Sequence, residues 1–226
     1  MTEKQLTKEL LESLEFDVTE LVPGVFYIRN FVTEEELNTL WAEINASKED
    51  DWTRRYLAEM ERHALDKFGT DDLSYLKNEG LIEVTDDFFD KTLEVQSEKM
   101  RRVLEERSRK IFYALGDYVV TGFQTFQRLY EGSQLKAHYD RYSDKLVAYA
   151  SVLYLNDDYN GGELFFPELD FEIAKPEVGS LIIFPGSEKY THGVRHVKEG
   201  PVRYVIPAFI KIQHPDGDMA GWGDFG

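Results

Sequence analysis

The sequence predicts a mainly β member of the α+β class: a double-stranded β-helix (jelly roll, cupin-like) with N-terminal helices packed on one outer face. Three observations carry this. The texture changes near residue 117, from segments of helical period to short β-rich runs. Turn signals, and no helices, separate those runs, which indicates antiparallel pairing. The chain has 226 residues, 42% hydrophobic and 14% aromatic, enough for one well-buried domain and not clearly enough for two. The expected organisation is a single domain, 1–226. A helical supporting region with an early strand would occupy 1–117, the jelly-roll core 118–212, and a loose tail 213–226.

The elements follow in order. Leu6, Leu10, Leu11 and Leu14 have helical spacing. Val25 to Ile28 reads as an early strand. Thr33 followed by Glu36 is a capping box, opening a helix through Leu37, Leu40, Trp41 and Ile44. Arg54 to Phe68 is a further helix, stopped by Gly69. Thr92 to Leu115 reads as the longest helix, with Leu93, Met100, Val103, Leu104, Ile111 and Leu115 as its apolar stripe. Beyond Gly116, Tyr118 to Tyr130 and Val147 to Leu155 read as strands, and 156–162 as a loop. Glu163 to Phe166, Ser180 to Phe184 and Val202 to Ile210 complete the set. The helical region around Asp50 to Asp90 is expected to supply a lid, and 141–145 with 156–162 would border an entrance.

Composition removes several chemistries. There is no cysteine, so disulfides, thiolate metal sites, iron–sulfur clusters and cysteine nucleophiles are excluded. Any metal must be held by His, Asp, Glu or backbone oxygen. The net charge of −17 repels phosphate backbones and argues against nucleic acid. The acids are spread along the chain, which fits solvation better than a dedicated basic-peptide surface. No run approaches the roughly 20 apolar residues of a membrane span, and the first residues lack the apolar stretch of a signal peptide. A cytoplasmic protein with no membrane partner is expected. Oligomeric state is not readable.

One segment carries metal chemistry. In an extended strand, residues two apart face the same side, so His138 and Asp140 can address one ion. A third ligand would come from His192 or His196, both after the strand at 180–184. His63 reads as a helix surface residue and His214 as part of the tail. Two imidazoles and one carboxylate leave open coordination positions, as in non-haem Fe(II) oxygenases.

The ordered motifs His138-Tyr-Asp140, Tyr154-Leu-Asn156, Gly161-Gly-Glu-Leu164, His192-Gly-Val and Arg203-Tyr204 resemble the prolyl-4-hydroxylase-like branch of the Fe(II)/2-oxoglutarate-dependent dioxygenases. The likeness covers about residues 118 to 212. It implies His138, Asp140 and His192 as iron ligands, His192 being preferred to His196 because of the motif that follows it. It implies Arg203 as the residue binding the distal carboxylate of 2-oxoglutarate, assisted by the Tyr154 hydroxyl. Tyr130 would lie near the cosubstrate, and Leu164 and Phe209 would line the apolar side of its pocket. Fe(2+), 2-oxoglutarate and O2 are the implied cofactors, with ascorbate as an auxiliary, and a peptidyl proline the implied substrate. Two departures stand out. Arg203 lies eleven residues after His192, one more than is commonest, with Lys198 in a polar loop as the alternative cation. Leu135 and Lys136 occupy a stretch where the family often has an aromatic. Competing readings are hydroxylation of a free amino acid or other small molecule, a non-catalytic metal-containing jelly-roll binding module, a zinc or manganese enzyme of cupin type, and nucleic-acid demethylation, which the charge disfavours.

Overall fold

Period-two alternation along the central strands decides which side chains reach the interior. The computed structural model describes residues 5–53, 64–81, 90–115, 118–143 and 145–212. Among these, twelve strands form two antiparallel sheets. The larger contains β1 (Asp17–Val22), β2 (Val25–Arg29), β10 (Leu181–Pro185), β7 (Val147–Tyr154), β12 (Arg203–Ile212), β5 (Thr125–Leu129) and β3 (Asp90–Glu94) in that spatial order, and β4 (Tyr118–Gly122) also pairs with β12. The smaller runs β6 (Leu135–His138), β11 (His192–Val194), β8 (Leu164–Phe166), β9 (Phe171–Ile173). This is the expected jelly roll.

The larger sheet is buried on both faces. Ile28, Leu153, Leu181, Ile183 and Ile206 pack outward against the helices. Their strand neighbours Tyr27, Tyr154, Ile182 and Val205 turn inward, towards Leu164 and Phe166 of the smaller sheet. Double burial explains why β10 reads as the unbroken run Leu181-Ile-Ile-Phe184. Three helices cover the outer face. α1 (Lys8–Ser13) contributes Leu11, α2 (Glu34–Ala46) Leu40 and Ile44, and α4 (Glu98–Tyr113) Met100, Leu104 and Ile111. A short α3 spans Leu73–Asn78. The Thr33–Glu36 capping box is present. Glu36 also accepts two hydrogen bonds from Arg107, at 2.9 and 2.8 Å, which clamps the start of α2 to α4.

Two expected elements are corrected. The segment Thr92 to Leu115 is not one helix. Residues 90–94 form β3, with Thr92 opposite Gln127 and Leu93 opposite Phe126. The helix starts after the cap Ser97, whose hydroxyl accepts from the Met100 amide. The Glu43 carboxylate accepts from the Gln96 and Ser97 amides at 2.7 and 3.0 Å, so α2 fixes where α4 begins. Tyr118 to Tyr130 is likewise two strands. Both lie beside β12, but their registers differ by two residues, and Phe123 between them has φ +58. β1, β3 and β9 were not expected, so the region before residue 117 supplies three strands as well as helices.

The helix expected at 54–68 is described only at 64–68. There Gly69 takes φ +71, and its amide bonds the Leu65 carbonyl, as its capping role requires. His63, His214, the tail 213–226 and much of the expected lid lie outside the described residues. Among those described, no helix is long and apolar enough to cross a membrane.

A candidate metal centre beside a cationic pocket

The smaller sheet brings the two histidines together. β6 and β11 pair antiparallel with His192 directly opposite His138, and the rings lie 4.6 Å apart. Asp140 arrives differently from the expectation. β6 ends at His138, and Asp140 opens a short helical turn, α5 (Asp140–Ser143). That turn is anchored by the Arg141 amide on the Gly186 carbonyl at 3.0 Å and by Arg141 Nε on the Val147 carbonyl at 2.9 Å. The carboxylate faces both rings, with Oδ1 3.8 Å from His138 Nε2 and Oδ2 3.9 Å from His192 Nε2. One ligand atom from each residue lies within 4.8 Å of the others.

The tautomers suit a metal. His138 Nδ1 is 2.9 Å from the Lys136 carbonyl and His192 Nδ1 3.1 Å from the Tyr190 carbonyl. A carbonyl only accepts, so each Nδ1 carries the proton and each Nε2 presents its lone pair. Burial lowers the His192 pKa to about 3, with the neighbouring His138 adding to the effect, which keeps its lone pair available at neutral pH. Burial raises the Asp140 carboxyl, and His138 opposes that shift. Phe184 packs edge-on to His192 at 4.5 Å and Phe166 lies 6.0 Å away, so the inner side of the centre is apolar.

Arg203 begins β12 opposite Leu129 of β5 and points inward. It is 2% exposed. Its guanidinium donates to the Tyr154 hydroxyl at 3.3 Å, and its Nε has no hydrogen-bond partner. No carboxylate pairs with it among the described residues. A buried guanidinium in this state is costly unless an anion completes it. Tyr154 shares its apolar cluster with Phe166 and Phe184, the rings that touch His192, so the cation and the triad open on one interior.

The surrounding motifs explain themselves physically. Asn156 ties the end of β7 to β12: its side-chain amide donates to the Val202 carbonyl at 2.8 Å, and its oxygen accepts from the Tyr204 amide at 2.8 Å. Gly161 and Gly162 both take φ +67. A Cβ on Gly162 would lie 3.0 Å from Arg203 Cδ, so the glycine turn closes directly over the arginine stem.

Leu164 lies in the inner cluster with Tyr154. Phe209 does not line a sealed pocket: it shares the inward face of β12 but is 38% exposed, at the open end of the sheet. Tyr130 is placed elsewhere. Leu129 faces the smaller sheet with Val194 and Val197, so alternation turns Tyr130 outward, where the Arg128 guanidinium lies 5.0 Å over its ring. His196 bonds the Gly132 carbonyl at 3.3 Å and is not part of the triad. Lys198 stays in its polar loop, its amide bonding the Asn160 carbonyl. Sequence reasoning missed Tyr159, which the loop 156–162 buries beside Arg203 with the guanidinium 5.6 Å over its ring. A tyrosine in an otherwise polar turn was the available signal.

A jelly roll bearing a two-histidine, one-carboxylate centre next to a buried, unpaired arginine defines the non-haem, 2-oxo-acid-using class of oxygenase site. The comparisons agree. Residues 124–211 match the family model of the 2OG-Fe(II) oxygenase superfamily. Curated relatives include mouse (Mus musculus) prolyl 3-hydroxylase 2, 39% identical over 56 residues, or 23% of this chain and 8% of that protein. Rat (Rattus norvegicus) prolyl 3-hydroxylase 1 is 28% identical over 126 residues, 46% of this chain and 17% of that protein. The chain thus spans less than a fifth of the length of these relatives. Similar solved structures include a Trichoplax adhaerens prolyl hydroxylase in complex with a hypoxia inducible factor peptide fragment, with TM-score 0.62 and 16% identity, covering 94% of this chain and 96% of that one. A viral collagen prolyl hydroxylase from Paramecium Bursaria Chlorella virus-1 gives TM-score 0.56 at 16% identity, covering 84% and 96%. At these identities the likeness is one of fold.

Proposed function

We propose that the chain is an Fe(II)- and 2-oxoglutarate-dependent dioxygenase that hydroxylates a peptidyl residue, with proline the favoured target. The observation that carries this reading is Arg203: a fully buried cation without an anionic partner among the described residues, next to a triad whose two Nε2 atoms are held free. The zinc or manganese cupin reading and the binding-module reading leave that arginine without a task. His138, Asp140 and His192 would hold the iron. Arg203 and Tyr154 would fix the far carboxylate of 2-oxoglutarate and so orient its 2-oxo-acid end towards the metal. Bound iron supplies the activation of O2 that couples oxidative decarboxylation of the cosubstrate to hydroxylation. Phe166 and Phe184 keep water from the inner side.

The mouth of the site supports a peptide over a small free acid. His138 is partly exposed, and Tyr142, on the turn that begins with Asp140, is 81% exposed. A small substrate calls for a closed cavity, whereas this rim is open and aromatic. The names of the relatives point to proline.

The test is succinate release by purified protein with Fe(II), 2-oxoglutarate and a panel of proline-containing peptides, with and without ascorbate, followed by mass spectrometry of the peptides. The parent and His196→Ala should turn over, while His138→Ala and Asp140→Ala should fall to background. Equal succinate release by the parent and the triad variants would remove the assignment. Turnover with free amino acids but no peptide would transfer it to the small-molecule reading.

A further inference from the structure

Tyr159 is the buried titratable group that this reading leaves unused. Its residue is 0% exposed although it stands in the polar loop 156–162. Among the described residues its hydroxyl completes no hydrogen bond, although the Arg203 guanidinium is close enough to oppose the effect of burial on it. Its surroundings are unusually polar for a buried ring: two cations, the Tyr154 phenol and the Asp157 carboxylate all act on it. The Arg203 guanidinium lies 5.6 Å and the Lys175 ammonium 6.0 Å from the ring centre. The ring edge would be 3.5 Å from a Cβ placed on Gly162.

The loop is not free to swing the ring away. Its start is pinned by the Asn156 amide on Val202, its middle by the Lys198 amide on the Asn160 carbonyl at 2.8 Å, and its end by the Gly162 amide on the His196 carbonyl at 3.1 Å. A buried hydroxyl held without a partner is a cost that a ligand can remove. We propose that the Tyr159 hydroxyl is a third donor to the carboxylate that Arg203 and Tyr154 bind, making this pocket selective for a 2-oxo acid with a second carboxylate. The inference rests on the function proposed above. Three donors, one guanidinium and two phenols, match a carboxylate, which offers about four acceptor sites. Burial raises the Tyr159 phenol to about 12, so at neutral pH it keeps its proton and can donate.

The experiment compares two ligands on two proteins. Anaerobic, Fe(II)-loaded parent and Tyr159→Phe are titrated by calorimetry with 2-oxoglutarate and with 2-oxobutyrate, which has the same 2-oxo-acid head and no far carboxylate. Removing the hydroxyl while keeping the ring should weaken 2-oxoglutarate by roughly 10-fold and leave 2-oxobutyrate unchanged. An unchanged 2-oxoglutarate affinity overturns the inference while the proposed function stands. Equal weakening, or loss, of both acids also overturns it, because that pattern reports a packing or folding role. A parent that binds 2-oxobutyrate as tightly as 2-oxoglutarate, or binds neither, overturns the proposed cosubstrate together with this inference.

Discussion

Replacing Arg203 by Met should make the metal-free, ligand-free protein more stable while abolishing its response to 2-oxoglutarate. Arg203 is 2% exposed, and among the described residues no carboxylate neutralises it. Desolvating an unpaired cation costs several kcal/mol even after relaxation. Met keeps an unbranched stem of similar reach, so the contact beneath Gly162 survives. Three losses oppose the gain, the first being the guanidinium's contacts with the Tyr154 and Tyr159 rings, 5.1 and 5.6 Å from their centres, about 1 kcal/mol together. The Tyr154 hydroxyl forfeits its 3.3 Å bond, about 1 kcal/mol, and the missing guanidinium leaves a small void worth about another 1 kcal/mol. The balance favours Arg203→Met by roughly 1–2 kcal/mol, or about 3–6 °C in Tm at this chain length. The parent should instead gain about 2.7 kcal/mol from 2-oxoglutarate at a hundredfold excess over Kd, and the variant nothing. Urea and thermal melts of both proteins, with and without ligand, measure each term. An Arg203→Met protein that is 2 kcal/mol less stable than the parent without ligand would refute the reasoning. It would mean that the guanidinium is already satisfied within the fold and is not waiting for an anion.

Two further substitutions test the turn over the arginine. Gly161→Ala puts a Cβ 2.2 Å from the His196 backbone oxygen at φ +67, so it should cost about 3 kcal/mol or more from clash and left-handed strain together. Gly162→Ala meets side chains rather than backbone, the flexible Arg203 stem at 3.0 Å, Val197 Cγ2 at 3.3 Å and the Tyr159 ring at 3.5 Å, so it should cost about 1–2 kcal/mol yet weaken 2-oxoglutarate binding. Thermal melts and calorimetry separate the two, and equal Tm losses would contradict this difference between backbone and side-chain contacts. At the other end of the molecule, the Arg107 hydrogen bonds hold the Glu36 carboxyl below its ordinary value of 4.5, against the opposing effect of burial. A depressed carboxyl stabilises the fold above its unfolded value and loses that contribution as pH falls through the folded one. The parent should therefore lose about 1 kcal/mol relative to Glu36→Gln as pH drops below about 4.5, read from urea midpoints across pH. Parallel curves for the two proteins would show that the clamp contributes nothing.

Legibility in the sequence followed the range of the physical signal. His138 and Asp140 are two residues apart, Thr33 and Glu36 share one helical turn, and Gly69 caps locally, so each could be read in place. β10 and β7 could be read because burial on both faces leaves a nearly continuous apolar run in each, broken only by Ser151 of β7. What failed was non-local. Residues 90–94 form a strand because β5 offers an edge more than 30 positions away, and neither helical period nor propensity reports that partner. The side to which Tyr130 points depends on a register fixed by Leu129 against the smaller sheet, and a one-residue difference reverses it. Tyr159 escaped notice because a loop tyrosine is ordinarily exposed. Only the folded chain shows that this one is sealed against Arg203.

The charge distribution sharpens the case for a local, rather than global, origin of anion binding. A chain of net charge −17 repels a dicarboxylate from a distance. That repulsion is screened beyond about 8 Å at physiological ionic strength, whereas Arg203 acts across direct contact inside a site with little water. The same low dielectric that makes the empty guanidinium expensive strengthens its attraction for a carboxylate. The surface acids and the buried arginine therefore have separable tasks. On the proposed function, the former repel phosphate backbones at a distance, and the latter would select one small anion by contact. On the proposed function, substrate contact would fall to the exposed side of the centre, where Tyr142 is 81% exposed on the turn that begins with Asp140. Recognition there would rest on shape and apolar contact, and a proline ring meets both requirements.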